Sequence, residues 1–144
     1  MNRQFPLAGL LRLRKMQQDQ AATEMARASS RSQGARERRA AARTELGSSD
    51  QTAGSSSALL AIAAARASSQ SMLADLDALA AATEAQLAEA RTDYTEARRK
   101  AVGLEKLELR HGTELAVAEL RAEQGVLDEI ASTSWHRTAG QASS

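Results

Sequence analysis

One pattern narrows the folds open to this chain more than any other. Leu73, Leu76, Ala80, Thr83, Leu87, Ala90, Tyr94, Ala97, Ala101 and Leu104 follow one another at steps that alternate three and four. That alternation keeps one stripe on one side of an α-helix and requires a second helix against it, as in a coiled coil. An earlier segment supplies the matching pattern. Leu11, Gln18, Met25, Ser32, Arg39 and Leu46 stand seven apart, and Arg14, Ala21, Ala28, Ala35 and Ala42 form the companion frame. Small residues dominate both frames, so the seam they build is thin but permits close approach.

Composition agrees with helices rather than a globule. Of 144 residues, the size of one domain, 32 are alanine and aromatics make up only 2%. Alanine removes little area from water, at about 25 cal/mol per Å², and a chain rich in Ala, Glu, Leu and Arg is that of long helices. The single proline, Pro6, is tolerated in a first helical turn, where its missing N–H has no intrahelical partner. There is no cysteine, which excludes disulfides, cysteine nucleophiles and thiolate metal sites. The longest apolar run, "ALLAIAAA" at 58–65, is far short of the roughly 20 residues of a spanning helix. No direct membrane insertion is expected.

The net charge is +1, but it is unevenly spread: residues 1–46 carry a net +6 and residues 47–144 a net −5. The two arms can attract each other, or the basic arm can serve a partner; sign asymmetry leaves both readings open.

These patterns predict an all-α fold, a long antiparallel two-helix coiled-coil hairpin with a flexible or short-helical interruption in its middle. A first long helix is expected over 5–46. The Gly- and Ser-rich "GSSDQTAGSSS" at 47–57 reads as a flexible loop. A short helix over 58–66, capped by Ser57, and a turn at 67–71 follow. The second long helix is expected over 70–133, with Asp75 and Asp77 in its early turns, where the macrodipole favours acids. The tail, 134–144, is expected to fray. Past Leu104 the phase changes and resumes at Leu120, Leu127 and Ile130, which reads as a stutter. Folding about 67–71 would lay the first arm along roughly 92–132 and the loop opposite 81–91. Forty helical residues would extend about 60 Å, making one coiled-coil rod of the whole chain.

Chemistry-bearing constellations are absent from the sequence. His111 and His136 are the only histidines, and Glu108 and Glu114 flanking His111 read as surface contacts. There is no phosphate-binding glycine loop, nucleophile elbow or zinc-binding HExxH. No catalytic, cofactor-binding or metal-binding residue is assigned, and no enzymatic activity is expected. The locally basic "RSQGARERRAAAR" at 31–43 lacks any aromatic for base stacking, so nucleic acid is not an expected partner.

The opening "FPLAGLLRLRKMQ", 5–17, fails as a signal peptide, because basic residues interrupt its apolar run and no small-residue cleavage site follows. On a helical wheel Leu7, Leu10, Leu11 and Leu13 cover an arc of roughly 160°, wider than one partner helix needs. Arg12 and Lys15 lie outside the arc. Arg14 lies within it, which suits a seam with Glu123, Asp128 or Glu129 better than a lipid surface. A membrane-surface amphipathic helix is the competing reading.

"FPLAGLLRLRKMQQDQAATEMARA", 5–28, resembles the N-terminus of the FliJ family of the bacterial flagellar export apparatus, with Phe5, Leu7, Leu10, Leu11, Leu13 and Arg14 on the family pattern. "YTEARRKAVGLEKLELRH", 94–111, and "ELRAEQGVLDEIA", 119–131, are similar to its later stretches. The resemblance implies a non-catalytic protein like the central stalk of a rotary ATPase. Its paired ends would enter the hexameric export ATPase and promote its activity. Carried over, Leu11, Arg12, Lys15, Leu120, Leu127 and Ile130 would meet the ATPase. Met72, Leu76, Leu79 and Thr83 would face the cytoplasmic domain of the export gate membrane protein, although the plainer reading of that stripe is hairpin core. Export chaperones would be further partners, and the protein would be cytoplasmic and peripheral to the membrane at the export apparatus. The Gly/Ser loop and the lack of an aromatic in the gate stripe depart from the family pattern. A stalk of a virulence-type secretion system and a generic structural coiled coil are the alternatives.

Overall fold

Pro6 cannot donate a backbone hydrogen bond, and helix begins just after it. In the computed structural model, which describes residues 3–49 and 52–142, the Ala8 N–H donates to the Phe5 carbonyl at 3.1 Å and the Leu11 N–H to the Leu7 carbonyl at 2.9 Å. These bonds open α1, Ala8–Ser48. Its last carbonyls would be left without partners. Two serine hydroxyls answer part of that need: Ser48 donates to the Glu45 carbonyl and Ser49 to the Leu46 carbonyl. The second helix, α2, runs from Ser56 to Ala142. Ser55 caps it, its Oγ accepting from the Ala58 N–H at 3.2 Å. The two helices pack as an antiparallel hairpin, and the described residues contain no strand.

Several boundaries differ from the sequence expectation. No separate short helix lies at 58–66 and no turn at 67–71; both stretches belong to α2. The serines of "ASSQS" read as turn formers, but they are flanked by alanine-rich helix on one side and the heptad stripe on the other, and their cost per residue is small. The cap is Ser55 rather than Ser57. The expected frayed tail is helical through Ala142.

Contacts divide the chain into two units, Lys15–Arg99 and Met1–Arg14 with Lys100–Ser144. In the first, the frames read from the sequence face each other. Ala28, Ser32 and Ala35 of α1 are buried, as are Ala80, Thr83, Leu87 and Ala90 of α2. Met25, Ala28, Leu87 and Ala90 form the apolar cluster. Along one edge, Arg36 reaches Glu84 and Arg43 reaches Asp77, each at 3.1 Å. Arg39 occupies a seam position, yet its guanidinium comes out to Asp77 at 3.8 Å, keeping its stem inside and its charge at the edge. Exposed pairs of this kind contribute only about 0.2–1 kcal/mol each; they select register more than they stabilise.

This register corrects the pairing expected from a turn at 67–71. Residues 77–84 lie beside 36–43, so residues 81–91 face α1 rather than the loop. The C-terminal end of α1 reaches Ser69 and Met72, with which Ala42, Glu45, Leu46 and Ser49 line a shallow groove.

In the second unit, Leu11 and Ala101 are buried, and Leu104, His111, Leu115 and Ala118 are half-buried in the same phase. Phe5 packs against His111 with the rings tilted by 55° and their centroids 5.6 Å apart, and Arg3 pairs with Glu119 at 3.1 Å. Because Arg3 already lies at Glu119, the acids at 123, 128 and 129 lie beyond the N-terminal end of α1. The expected proximity of Arg14 to them is not formed.

Ser32 is 2% exposed, and its hydroxyl has no hydrogen-bond partner. An orphan buried hydroxyl costs roughly 1–3 kcal/mol. Ser32→Ala is therefore expected to raise stability by about 1 kcal/mol, allowing for the small volume lost. Leu87→Ala, which empties the one large buried side chain of the cluster, is expected to cost about 2–4 kcal/mol. Urea titration followed by helical circular dichroism checks both signs.

Candidate partner-binding surfaces

An a/d stripe buries two positions in seven, and side chains off that stripe stay outside unless another partner covers them. Where α1 runs out, even the stripe is left bare. Every described residue of α2 from Arg121 onward is exposed. Leu120, Leu127 and Ile130 are 64%, 65% and 60% exposed, joined by Val126 and Trp135. The phase change in the sequence now has a structural reading. The seam keeps its phase through Leu115 and Ala118, and Leu120 starts a stripe on another face, at the level where pairing with the N-terminal segment ends. Within it, Ala122, Glu123, Val126 and Leu127 line an apolar surface groove.

The N-terminal turns of α1 show a related surplus. Leu11 is buried in the seam, while Leu7, Leu10 and Leu13 are exposed. Arg12 is exposed, with no ion-pair partner among the described residues. Lys15, one turn on, is also exposed. The broad arc read from the sequence is thus split between Leu11 inside and three leucines outside. A groove beside it is lined by Phe5, Pro6, Leu7, Leu107, Arg110, His111 and Glu114. The Arg110–Glu114 contact at 3.1 Å is an ordinary exposed i,i+4 pair.

The stripe at 72–83 divides as well. Thr83 is 6% exposed, and its hydroxyl donates back to the Leu79 and Ala80 carbonyls; it offers no surface. Leu76 is half-buried in the seam. Met72 and Leu79 point outward, 59% and 40% exposed. Sequence periodicity missed a further apolar surface at the start of α2, where Leu59 and Leu60 are exposed. Their signal is an apolar pair in a stretch with no companion frame in α1.

No cluster of three or more His, Cys, Asp or Glu side chains able to hold a metal occurs among the described residues. No helix there is long and apolar enough to cross a membrane. Bare helical surfaces such as these can bind other helices or a ring of loops, through apolar area with a charged margin.

A family model described as "Flagellar FliJ protein" matches residues 3–140. No curated protein and no solved structure matches the chain.

Amide exchange should map the difference between paired and bare helix. Amides of 121–142 are expected to exchange at least about tenfold faster than those of 80–101, since only the latter are held by tertiary packing. Equal protection would mean that the terminal turns have a partner in solution.

Proposed function

The chain belongs to the FliJ family of the flagellar export apparatus, and from that premise we propose that it acts as the stalk of the export ATPase. In this reading the protein is non-catalytic. The segments 5–16 and 117–131 enter the central opening of the ATPase hexamer and raise its activity. The observation that carries the reading is the unpaired stretch of α2 with Leu120, Leu127 and Ile130 all outward. A helix that has outrun its partner keeps an apolar face with nothing of its own chain to bury it, and a pore lined by several subunits can cover such a face on all sides. Arg12 and Lys15, both exposed, would supply charge toward acidic pore loops, while Leu11, sealed in the seam, would act by holding the end together.

Met72 and Leu79 are the outward members of the stripe assigned to the export gate protein; Leu76 and Thr83 would support them from within. Escort of empty export chaperones belongs to the same family reading, as does a cytoplasmic location at the membrane-bound apparatus.

The test is ATPase stimulation by the purified protein. Leu120→Ser/Leu127→Ser/Ile130→Ser is expected to reduce stimulation by about tenfold or more, with helicity retained because those side chains are already exposed. Met72→Ala/Leu79→Ala is expected to weaken binding to the gate domain and spare stimulation. A wild-type protein that neither co-elutes with the hexamer nor stimulates it would leave only a structural coiled coil.

A further inference from the structure

The Lys15–Arg99 unit carries an edge on which charges repeat every seven residues. On α2 the positions beside the seam are Asp77, Glu84, Arg91 and Arg98; on α1 the facing positions are Arg43, Arg36, Ser29 and Ala22. In an antiparallel pair such positions meet one another rung by rung. The first two rungs are formed, Arg43 to Asp77 and Arg36 to Glu84, each at 3.1 Å. One heptad on, the same register sets Ser29 opposite Arg91, and the next sets Ala22 opposite Arg98. The register does not slip between them, because the Met25–Ala28–Leu87–Ala90 cluster lies in that interval. Of these four rungs two are paired, and the other two set an arginine opposite a residue that carries no charge.

Nor do these arginines find partners on their own helix. Residues three and four away from Arg91 are Leu87, Ala88, Tyr94 and Thr95; from Arg98 they are Tyr94, Thr95, Ala101 and Val102. None is acidic. Both arginines are exposed, and among the described residues neither guanidinium has a hydrogen bond or ion pair; Arg91 takes part only through its carbonyl, which accepts from the Thr95 hydroxyl. The α1 side of this edge is cut low by Ala22, Ala26 and Ser29, which leaves room for a third backbone to approach.

We propose that Arg91 and Arg98 form a docking edge for an acidic helix of a partner protein, whose carboxylates, seven residues apart, take the places that α1 leaves empty. Two arginines on one helix edge, seven residues apart, stand about 10.5 Å from each other, the spacing at which another helix repeats its own face. The guanidinium fork suits carboxylates in a bidentate mode. A polyanion such as nucleic acid fits less well, since this edge offers two charges about 10.5 Å apart rather than the continuous basic surface that a run of phosphates needs. Neither Arg91 nor Arg98 belongs to the surfaces assigned to the ATPase and the gate, so the proposal stands or falls independently of them.

The probe is a synthetic alanine-rich helical peptide with glutamates at seven-residue spacing, compared by fluorescence anisotropy with a peptide of equal composition and scrambled spacing. The full-length protein is expected to bind the first at least about tenfold more tightly, with affinity falling as salt rises. Arg91→Ala/Arg98→Ala is expected to erase that preference without lowering the thermal midpoint. Ala22→Glu/Ser29→Glu is expected to erase it too, but to raise the midpoint, because the added carboxylates complete the ladder from within. Equal binding of both peptides, no binding by the wild-type protein, unchanged binding by either double variant, or tighter binding of a single-stranded oligonucleotide than of the spaced peptide would overturn the proposal.

Discussion

Much of this molecule hangs on the packing of Leu87 against Ala28, with Met25 and Ala90 around them. The rest of the buried seam in that unit is alanine, serine and threonine, which bring backbones close but remove little apolar area from water. A seam of small residues is tolerant of sliding, because one alanine layer resembles the next. The larger Leu87 side chain against Ala28 breaks that degeneracy. The edge arginines then add a charge code that accepts one alignment and penalises neighbours, in the way flanking charges set partner choice in coiled coils. Stability and specificity thus come from different residues: a few apolar contacts for the first, Arg36, Arg43 and their acids for the second.

Once register is set, unequal length does the rest. The first helix has 41 residues and the second 87, so pairing leaves α2 uncovered toward both of its ends. At one end lie Leu59 and Leu60; at the other lie Leu120, Val126, Leu127 and Ile130. Monomeric proteins seldom leave such apolar area bare without a use for it. Membership of the FliJ family places that use in an apparatus built of several proteins. In the proposed reading the bare helix is the working surface, and the hairpin is the means of presenting it.

Periodicity exposed much of this fold. Both heptad frames face each other in the structure, and the residues singled out for the seam, including the incongruous Ser32 and Arg39, occupy it. The change of phase at Leu120 was also legible, although as a stutter within a longer pairing; its meaning as the limit of pairing depended on where α1 begins to run alongside. The turn was misplaced. "ASSQS" has turn-like composition, but local propensities of a few tenths of a kcal/mol per residue are overridden when both flanks are strongly helical. The misplaced turn in turn shifted the expected pairing and put Arg14 near acids that lie well past it. The stripe at 72–83 shows the same limit on a smaller scale: spacing joined Met72, Leu76, Leu79 and Thr83, while packing sent two inward and two outward.

The sequence by itself determined that the chain is helical, which face of each helix seeks a partner, and the family to which the chain belongs. Those properties follow from a period of 3.6 residues and from side-chain chemistry, both of which are local. Only the tertiary structure decided which rung of α1 meets which rung of α2, and therefore which side chains are spent on the hairpin. Register is a relation between distant segments, and a repeating pattern is nearly the same after a shift of seven. The unanswered Arg91 and Arg98 and the uncovered stripe from Leu120 to Ile130 are consequences of that one choice.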